Sequence, residues 1–228
     1  RSDGYVGKPP ELGTGVFAMD TGNGSSTIPV YDSGFPVDFA LYRTPASTAN
    51  WWVNARLTQG YELKTNDNSA EGSYSNGTFD SNTGWNKSGA NNTHQSWMWK
   101  RHAGFDVVTY TAKGGSLASY AHSLGKIPEM IWVKRTDSTQ DWSVYHKGLN
   151  GGSSPEGYGM KLNTNATEAS SSTRWASTAP TSTYFFAGGN AGTNQGGSTY
   201  IAMLFASVEG ISKVGYYAGS GAARTITT

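Results

Sequence analysis

The 228-residue chain contains no cysteine, which excludes disulfides, thiolate metal centres and cysteine nucleophiles. Charge is also scarce. Asp, Glu, Lys and Arg make up 14% of the residues, against ~25% in an average soluble domain. The net charge of +1 supplies no electrostatic footprint for nucleic acid or for an anionic membrane. No apolar run approaches the ~18 residues of a membrane-spanning helix, so no membrane insertion is expected. No segment keeps a 3.6-residue apolar period between helix caps. Phosphate-binding, dinucleotide-binding, zinc-protease and serine-hydrolase signatures are missing as well.

What the chain has instead is glycine (30 residues) and aromatic side chains, with 8 Trp, 13 Tyr and 8 Phe. Ser, Thr and Asn crowd the segments between short apolar runs. Aromatic and β-branched residues suit a pleated surface, and Gly and Asn suit the turns that join strands. Short alternating runs recur at Phe39–Arg43, Trp51–Leu57, Tyr61–Lys64, Gln95–Lys100, Phe105–Thr111, Met130–Lys134, Trp142–His146, Tyr158–Leu162, Thr199–Phe205 and Lys213–Tyr217. These patterns predict an all-β protein of sandwich type.

The chain also repeats itself. Pro36–Thr44 (PVDFALYRT) aligns with Pro128–Thr136 (PEMIWVKRT) at an offset of 92 (128 − 36). Tyr61–Asn66 aligns with Tyr158–Asn163 at 97 (158 − 61), which sets Glu71 opposite Glu168. Gly104–Ala112 aligns with Gly210–Ala218 at 106 (210 − 104), and Phe17–Gly24 is a weaker relative of the same strand. A period this long is domain-sized and is not that of a solenoid. The expected organisation is an N-terminal arm (1–14), two tandem β-sandwich modules of jelly-roll or lectin-like type (15–106 and 107–212), and a terminal segment (213–228). That last segment reads as the opening strand of a further repeat, or as a strand completing the second module. An opening strand without a sheet is marginal, so the chain reads as an excerpt of a longer one. Phe39, Leu41, Ile131, Val133, Met203 and Phe205 are expected in the sandwich cores.

Candidate chemistry is sparse. His94 and His102 sit eight apart with no nearby carboxylate motif, and with His122 and His146 they read as structural or surface histidines. Asp80–Gly84 has alternating oxygen ligands but lacks the glutamate that closes a calcium loop, so an Asx-turn is the simpler reading and no metal is expected. Glu71 and Glu168 give one carboxylate per repeat, where glycoside hydrolysis needs a pair. The Asn-x-Ser/Thr sequences at Asn23, Asn76, Asn86, Asn91 and Asn165 follow from composition. Aromatic residues hold the strongest claim to a binding site. Trp51 and Trp52 point to opposite faces of one strand; with Trp142 and Tyr145 they are the candidates for exposed platforms that stack on sugars or fill a neighbour's pocket.

The pattern Tyr110–Gly114, His122–Gly125, Ile127–Arg135, Asp141–Leu149 and Tyr200–Tyr216 resembles the tandem modules of uncharacterised virion structural proteins from marine tailed bacteriophages of the cyanophage and pelagiphage type. The resemblance runs from about Gly15 onward and is better in the second repeat; Ala40 stands where that pattern has Trp132. It implies a tail fibre, tail appendage or capsid decoration, exposed on the virion after assembly in the host cytoplasm. It brings no catalytic residues and no cofactor, so no enzyme activity is expected. The implied partners are other virion subunits, a homo-oligomer such as a trimer, and a host surface glycan. The competing reading is a carbohydrate-binding receptor-recognition module.

Overall fold

The computed structural model describes residues 12–24, 27–219 and 221–226. The protein is all-β, with a few short 3₁₀ turns, and its sheets are open. The first half contributes β1 (Phe17–Thr21), β2 (Tyr31–Asp32), β3 (Phe39–Arg43), β4 (Trp52–Ala55), β5 (Tyr61–Lys64), β6 (Gly72–Ser73), β7 (Gly77–Thr78), β8 (Gly84–Lys87) and β9 (Gln95–Trp99). The second half contributes β10 (Phe105–Thr111), β11 (Ala118–Ala121), β12 (Met130–Arg135), β13 (Ser143–His146), β14 (Tyr158–Lys161), β15 (Ala169–Ser170), β16 (Tyr184–Ala187) and β17 (Thr199–Phe205).

Each half forms one six-stranded sheet. The first has the order β1-β9-β3-β4-β5-β6 and the second β10-β17-β12-β13-β14-β15. The two orders correspond strand for strand, with every pair antiparallel. A small sheet accompanies each: β2-β8-β7 in the first half and β11-β16 in the second.

Alternation along the strands sorts side chains into three apolar layers. Tyr31, Ala40, Tyr42, Phe79, Trp85 and Met98 join the first large sheet to its small sheet. Tyr120, Ile131, Val133, Phe185, Tyr200 and Leu204 do the same in the second half. Between them, Phe39, Val53 and Leu63 of the first large sheet meet Phe105, Val107, Trp142, Ile201 and Met203 of the second. Both faces of the second large sheet are therefore covered. That explains the continuous apolar run Ile201–Leu204, every residue of which is buried.

The ladders correct the repeat alignment by one residue. Trp52 pairs with Tyr42 and Lys64, and Ser143 pairs with Val133 and Lys161. Tyr42 thus corresponds to Val133 and Leu41, not Ala40, to Trp132, an offset of 91 (133 − 42). A one-residue slip in a strand exchanges its faces. Phe39 accordingly enters the layer between the large sheets, whereas Ile131 enters the outer layer. Leu41 and Phe205 are only partly buried against the central layer.

Two expected boundaries also move. Position 106/107 falls inside β10, whose pairing with β17 already begins at Phe105↔Phe205. Among the described residues after 212 there is no strand. Each opening strand, β1 or β10, pairs with the closing strand of its own half, and both closing strands already have two neighbours. Tyr216 instead stands edge-on to His146 at 6.2 Å. Most of the expected N-terminal arm, residues 1–11, lies outside the described residues.

Candidate functional site

The four predicted platform residues have different fates. Trp142 is fully buried in the central layer, where its indole Nε1 donates to the Lys64 carbonyl at 2.7 Å. Tyr145 is buried in the outer layer of the second half, edge-on to Trp175 at 5.9 Å. Neither is an exposed platform, because β13 belongs to a sheet covered on both sides. Trp51 occupies the position matching Trp142: each has its backbone N–H bonded to an asparagine Oδ1, Asn66 or Asn163, at 2.9 Å. Trp51 is only half-buried. It packs on Trp97 at 5.0 Å, with the Arg43 guanidinium 4.7 Å from its ring.

Trp52 faces the other way and lines a pocket of about 230 Å³, together with Tyr42, Arg43, Thr44, Glu62, Tyr74, Lys87 and His94. The backbone assembles this pocket from distant segments. β3, β4 and β5 set Tyr42, Trp52 and Glu62 on one face of the large sheet, since Tyr42 pairs with Trp52 across the ladder. β8 of the small sheet brings Lys87, and the turn after β6 brings Tyr74.

Inside, Tyr42 and Trp52 stack at 6.3 Å with an interplanar angle of 11°. The Tyr42 hydroxyl donates to Glu62 Oε2 at 3.0 Å. The Lys87 ammonium donates to the Tyr74 hydroxyl at 3.0 Å and lies over the rings of Tyr42 and Tyr74, at 4.7 and 5.0 Å. Lys64 lies 5.1 Å over Trp52. Burial raises the Glu62 carboxyl above its ordinary range, against the opposing pull of Tyr42, Lys87 and Lys64. Burial, and then the charge of Glu62, hold the Tyr42 phenol protonated far beyond its usual range. The arrangement offers aromatic walls, a carboxyl and fixed cations in a small concave space, which is the make-up of a binding pocket.

The second half fills the corresponding space. Ladder equivalence puts Val133 for Tyr42, Ser143 for Trp52 and Gly159 for Glu62. Ser171 replaces Tyr74, since each donates its backbone N–H to a glycine carbonyl at 2.7 Å, that of Gly157 or Gly60. Arg174 and Trp175, from the longer loop before β16, take up the volume. A β-carbon at Gly159 would run into the Arg174 guanidinium, and Trp175 is buried beside Tyr145.

The other sequence candidates are not gathered into a site. All four histidines accept a backbone N–H at Nδ1: His94 from Asn91 (3.3 Å), His102 from Gly104 (3.0 Å), His122 from Leu124 (3.3 Å) and His146 from Gly148 (3.0 Å). A backbone N–H can only donate, so Nδ1 of His102, His122 and His146 keeps its lone pair and these rings serve as turn caps, while His94 Nδ1 also meets Asn91 Oδ1 at 3.2 Å. Desolvation pushes His102 down to about 4 and also lowers His122 and His146. Glu168 receives the Asn150 N–H, while Glu71 lies in a separate cleft between the halves with Thr109, Thr111 and Thr199. Among the described residues no group of three or more His, Asp or Glu is placed to hold a metal ion, so Asp80–Gly84 has no such cluster around it.

Single-sequence reasoning missed Arg43, Glu62, Tyr74 and Lys87. The signal that marks the site is the contrast between the two halves, where Glu62 and Trp52 stand against Gly159 and Ser143. No curated protein and no solved structure matches the chain. A family model matches residues 58–226, which takes in Glu62, Tyr74, Lys87 and His94 and leaves out Tyr42, Arg43 and Trp52. By that match the chain belongs to the DUF7483 family, a domain of unknown function.

Proposed function

We propose that the chain is a structural component of a bacteriophage virion, a tail fibre, tail appendage or capsid decoration. In this reading it is built as two tandem sandwich modules, each a large sheet with its small sheet. The observation that supports it most is the continuous apolar layer from Phe39 to Met203 between the two large sheets. Such a layer removes the hinge expected between loosely linked domains and suits an appendage that must transmit orientation. Leu12, Phe17 and Met19 are exposed at the edge formed by β1 and supply a surface for a neighbouring subunit of a homo-oligomer. Peptides of this chain should co-purify with intact tailed-phage particles through density-gradient centrifugation. Their confinement to the host-cell fraction would defeat the reading.

The competing reading, a carbohydrate-binding module for host recognition, is favoured by the pocket around Trp52, and the two roles are compatible in one molecule. Methyl glycosides titrated into the purified chain should perturb the Trp52 indole signal. The absence of any perturbation would remove the glycan role and leave the structural one standing.

A further inference from the structure

The geometry points to a second binding site, the cleft between the two halves, for a neutral polyhydroxylated ring of the hexose class. The site is separate from the pocket around Trp52 and does not rest on it.

The second half supplies the floor. Thr109 and Thr111 follow Val107 on one face of β10, and Thr199 shares the face of Ile201 on β17. All three are exposed, where the face runs on past the layer that the first half covers. Thr111 pairs with Thr199 across the ladder, and the Thr136 N–H donates to the Thr199 carbonyl at 2.9 Å. Hydroxyls from three adjacent strands therefore form one row along the cleft. Those of Thr136 and Thr199 bond to each other at 2.7 Å, whereas those of Thr109 and Thr111 have no partner among the described residues.

The first half supplies the wall. Tyr61 shares the face of Leu63 on β5 and is 45% exposed, and Leu57, 47% exposed, joins it in lining the cleft. Glu71 is set in place by its own N–H, which donates to the Thr136 carbonyl at 2.8 Å. Its carboxylate has neither an ion pair nor a hydrogen bond among the described residues. Among those residues it is also the only charge that lines the cleft. Burial, and then the charge of Asp137, raise it above its ordinary range against the pull of Lys134. The matching Glu168 is exposed and accepts the Asn150 N–H at both oxygens, so the free carboxylate belongs to the first half alone.

These groups select a ligand by what they lack. Glu71 can only accept, while the threonine hydroxyls both donate and accept. A ligand hydroxyl answers both. An anion would meet Glu71 as a like charge, and an ammonium supplies donors without acceptors. Two adjacent hydroxyls on a ring match the two oxygens of the carboxylate, and the Tyr61 ring offers an apolar surface to the C–H side of a sugar. At about 430 Å³ the cleft falls within the ~300–1,000 Å³ of ligand sites.

The test is a titration of the whole chain, followed by the Thr109 and Thr111 methyl and Tyr61 ring resonances, with the Trp52 indole reporting on the other pocket. The probes are methyl glucoside, methyl galactoside and methyl mannoside, against methyl glucuronide, methylammonium and cyclohexanol. At least one neutral glycoside should shift the cleft resonances and bind ten-fold or more tighter than each of the three controls. Glu71→Gln should weaken that binding about ten-fold and Thr111→Val about three-fold, in chains whose remaining resonances are unmoved. Should either variant fail to fold, the wild-type comparison with the controls still decides. Equal binding of methylammonium would mark a plain cation site, equal binding of cyclohexanol an apolar one, and equal binding of the glucuronide a contact without Glu71. Each would overturn the proposal, as would no shift at all. A shift confined to Trp52 would overturn this site and leave the reading of the other pocket intact.

Discussion

The two halves share a strand order and differ in what they do with the space between large and small sheet. The first half lines it with Tyr42, Trp52, Glu62, Tyr74 and Lys87 and leaves a pocket. The second half lines it with small residues and packs Arg174 and Trp175 inside. The plugging loop holds two consecutive non-glycine residues, Ala176 and Ser177, at φ of 55° and 45°, a left-handed conformation that costs about 1–2 kcal/mol per residue. Burial of Trp175 offsets that cost. The difference teaches that two halves with one strand order can use the same space differently, as an open pocket in the first and as packing in the second.

The same contrast holds at the paired tryptophans, and here substitution should have its largest effect. Trp142→Ala opens a cavity in the central layer and should cost ~3–5 kcal/mol. Trp51→Ala, at the corresponding half-exposed position, should cost less than half as much. Urea unfolding of the two variants measures both, and equal losses would break the comparison.

Asp106 comes next. It is buried in β10, pairs with Arg101 at 2.6 Å and accepts the backbone N–H groups of Ser123 and Val107. Its counterpart in β1 is Ala18, since Phe17↔Trp99 matches Phe105↔Phe205. Asp106→Ala should destabilise by roughly 3 kcal/mol, because buried donors lose their acceptor. Ala18→Gly, in the half-exposed edge strand β1, should change stability by no more than ~1 kcal/mol. Paired denaturation curves read both.

Gly159→Glu would give the second half the residue that the first half has at position 62. Collision with Arg174 should destabilise by ~1–3 kcal/mol, and Gly159→Glu combined with Arg174→Ala should recover part of the loss. Additive losses in the double variant would mean that Arg174 is not what excludes the side chain.

The smallest effect concerns His102, whose counterpart after β17 is Val208, at the offset of 106. Its folded-state value of about 4 lies below the ~6.5 of an unfolded histidine. Between these values the unfolded chain binds more protons, so stability should rise with pH from about 4 to 6.5 and level off above. His122 and His146 act in the same direction, and the lowered carboxyls Asp67, Glu129, Asp137 and Asp141 add to it at the acid end. The raised carboxyls Glu62 and Glu71 oppose it. His102→Val should make this slope shallower without abolishing it, as measured by thermal unfolding at pH 4.5, 5.5 and 7.

Much of the fold was legible because strands announce themselves locally. Gln95–Trp99 and Phe105–Thr111 alternate, and the glycine and asparagine segments between runs are turns. The slip at Pro36 and Pro128 arose because a proline-led turn fixes where a strand can start, not which residue pairs across the sheet. Trp142 and Tyr145 were misread for a physical reason: alternation distinguishes two faces, but cannot say that both are covered. The site was half legible. Trp52 followed from the Trp51-Trp52 pair, while Glu62, Tyr74 and Lys87 come from segments that only the folded chain brings together.

The position of the closing strands has a kinetic consequence. β9 lies between β1 and β3, and β17 between β10 and β12, so the last strand of each half to be synthesised is an interior strand of its large sheet. β3, β4, β5 and β6 can pair in succession as hairpins through local contacts. β1 must wait, unpaired, until the chain has passed Gln95, and the edge it will occupy does not exist before then. Such non-local closure is slow. Each half therefore completes its sheet in one late step, and the layer between the halves can form only after β17 has done the same for the second.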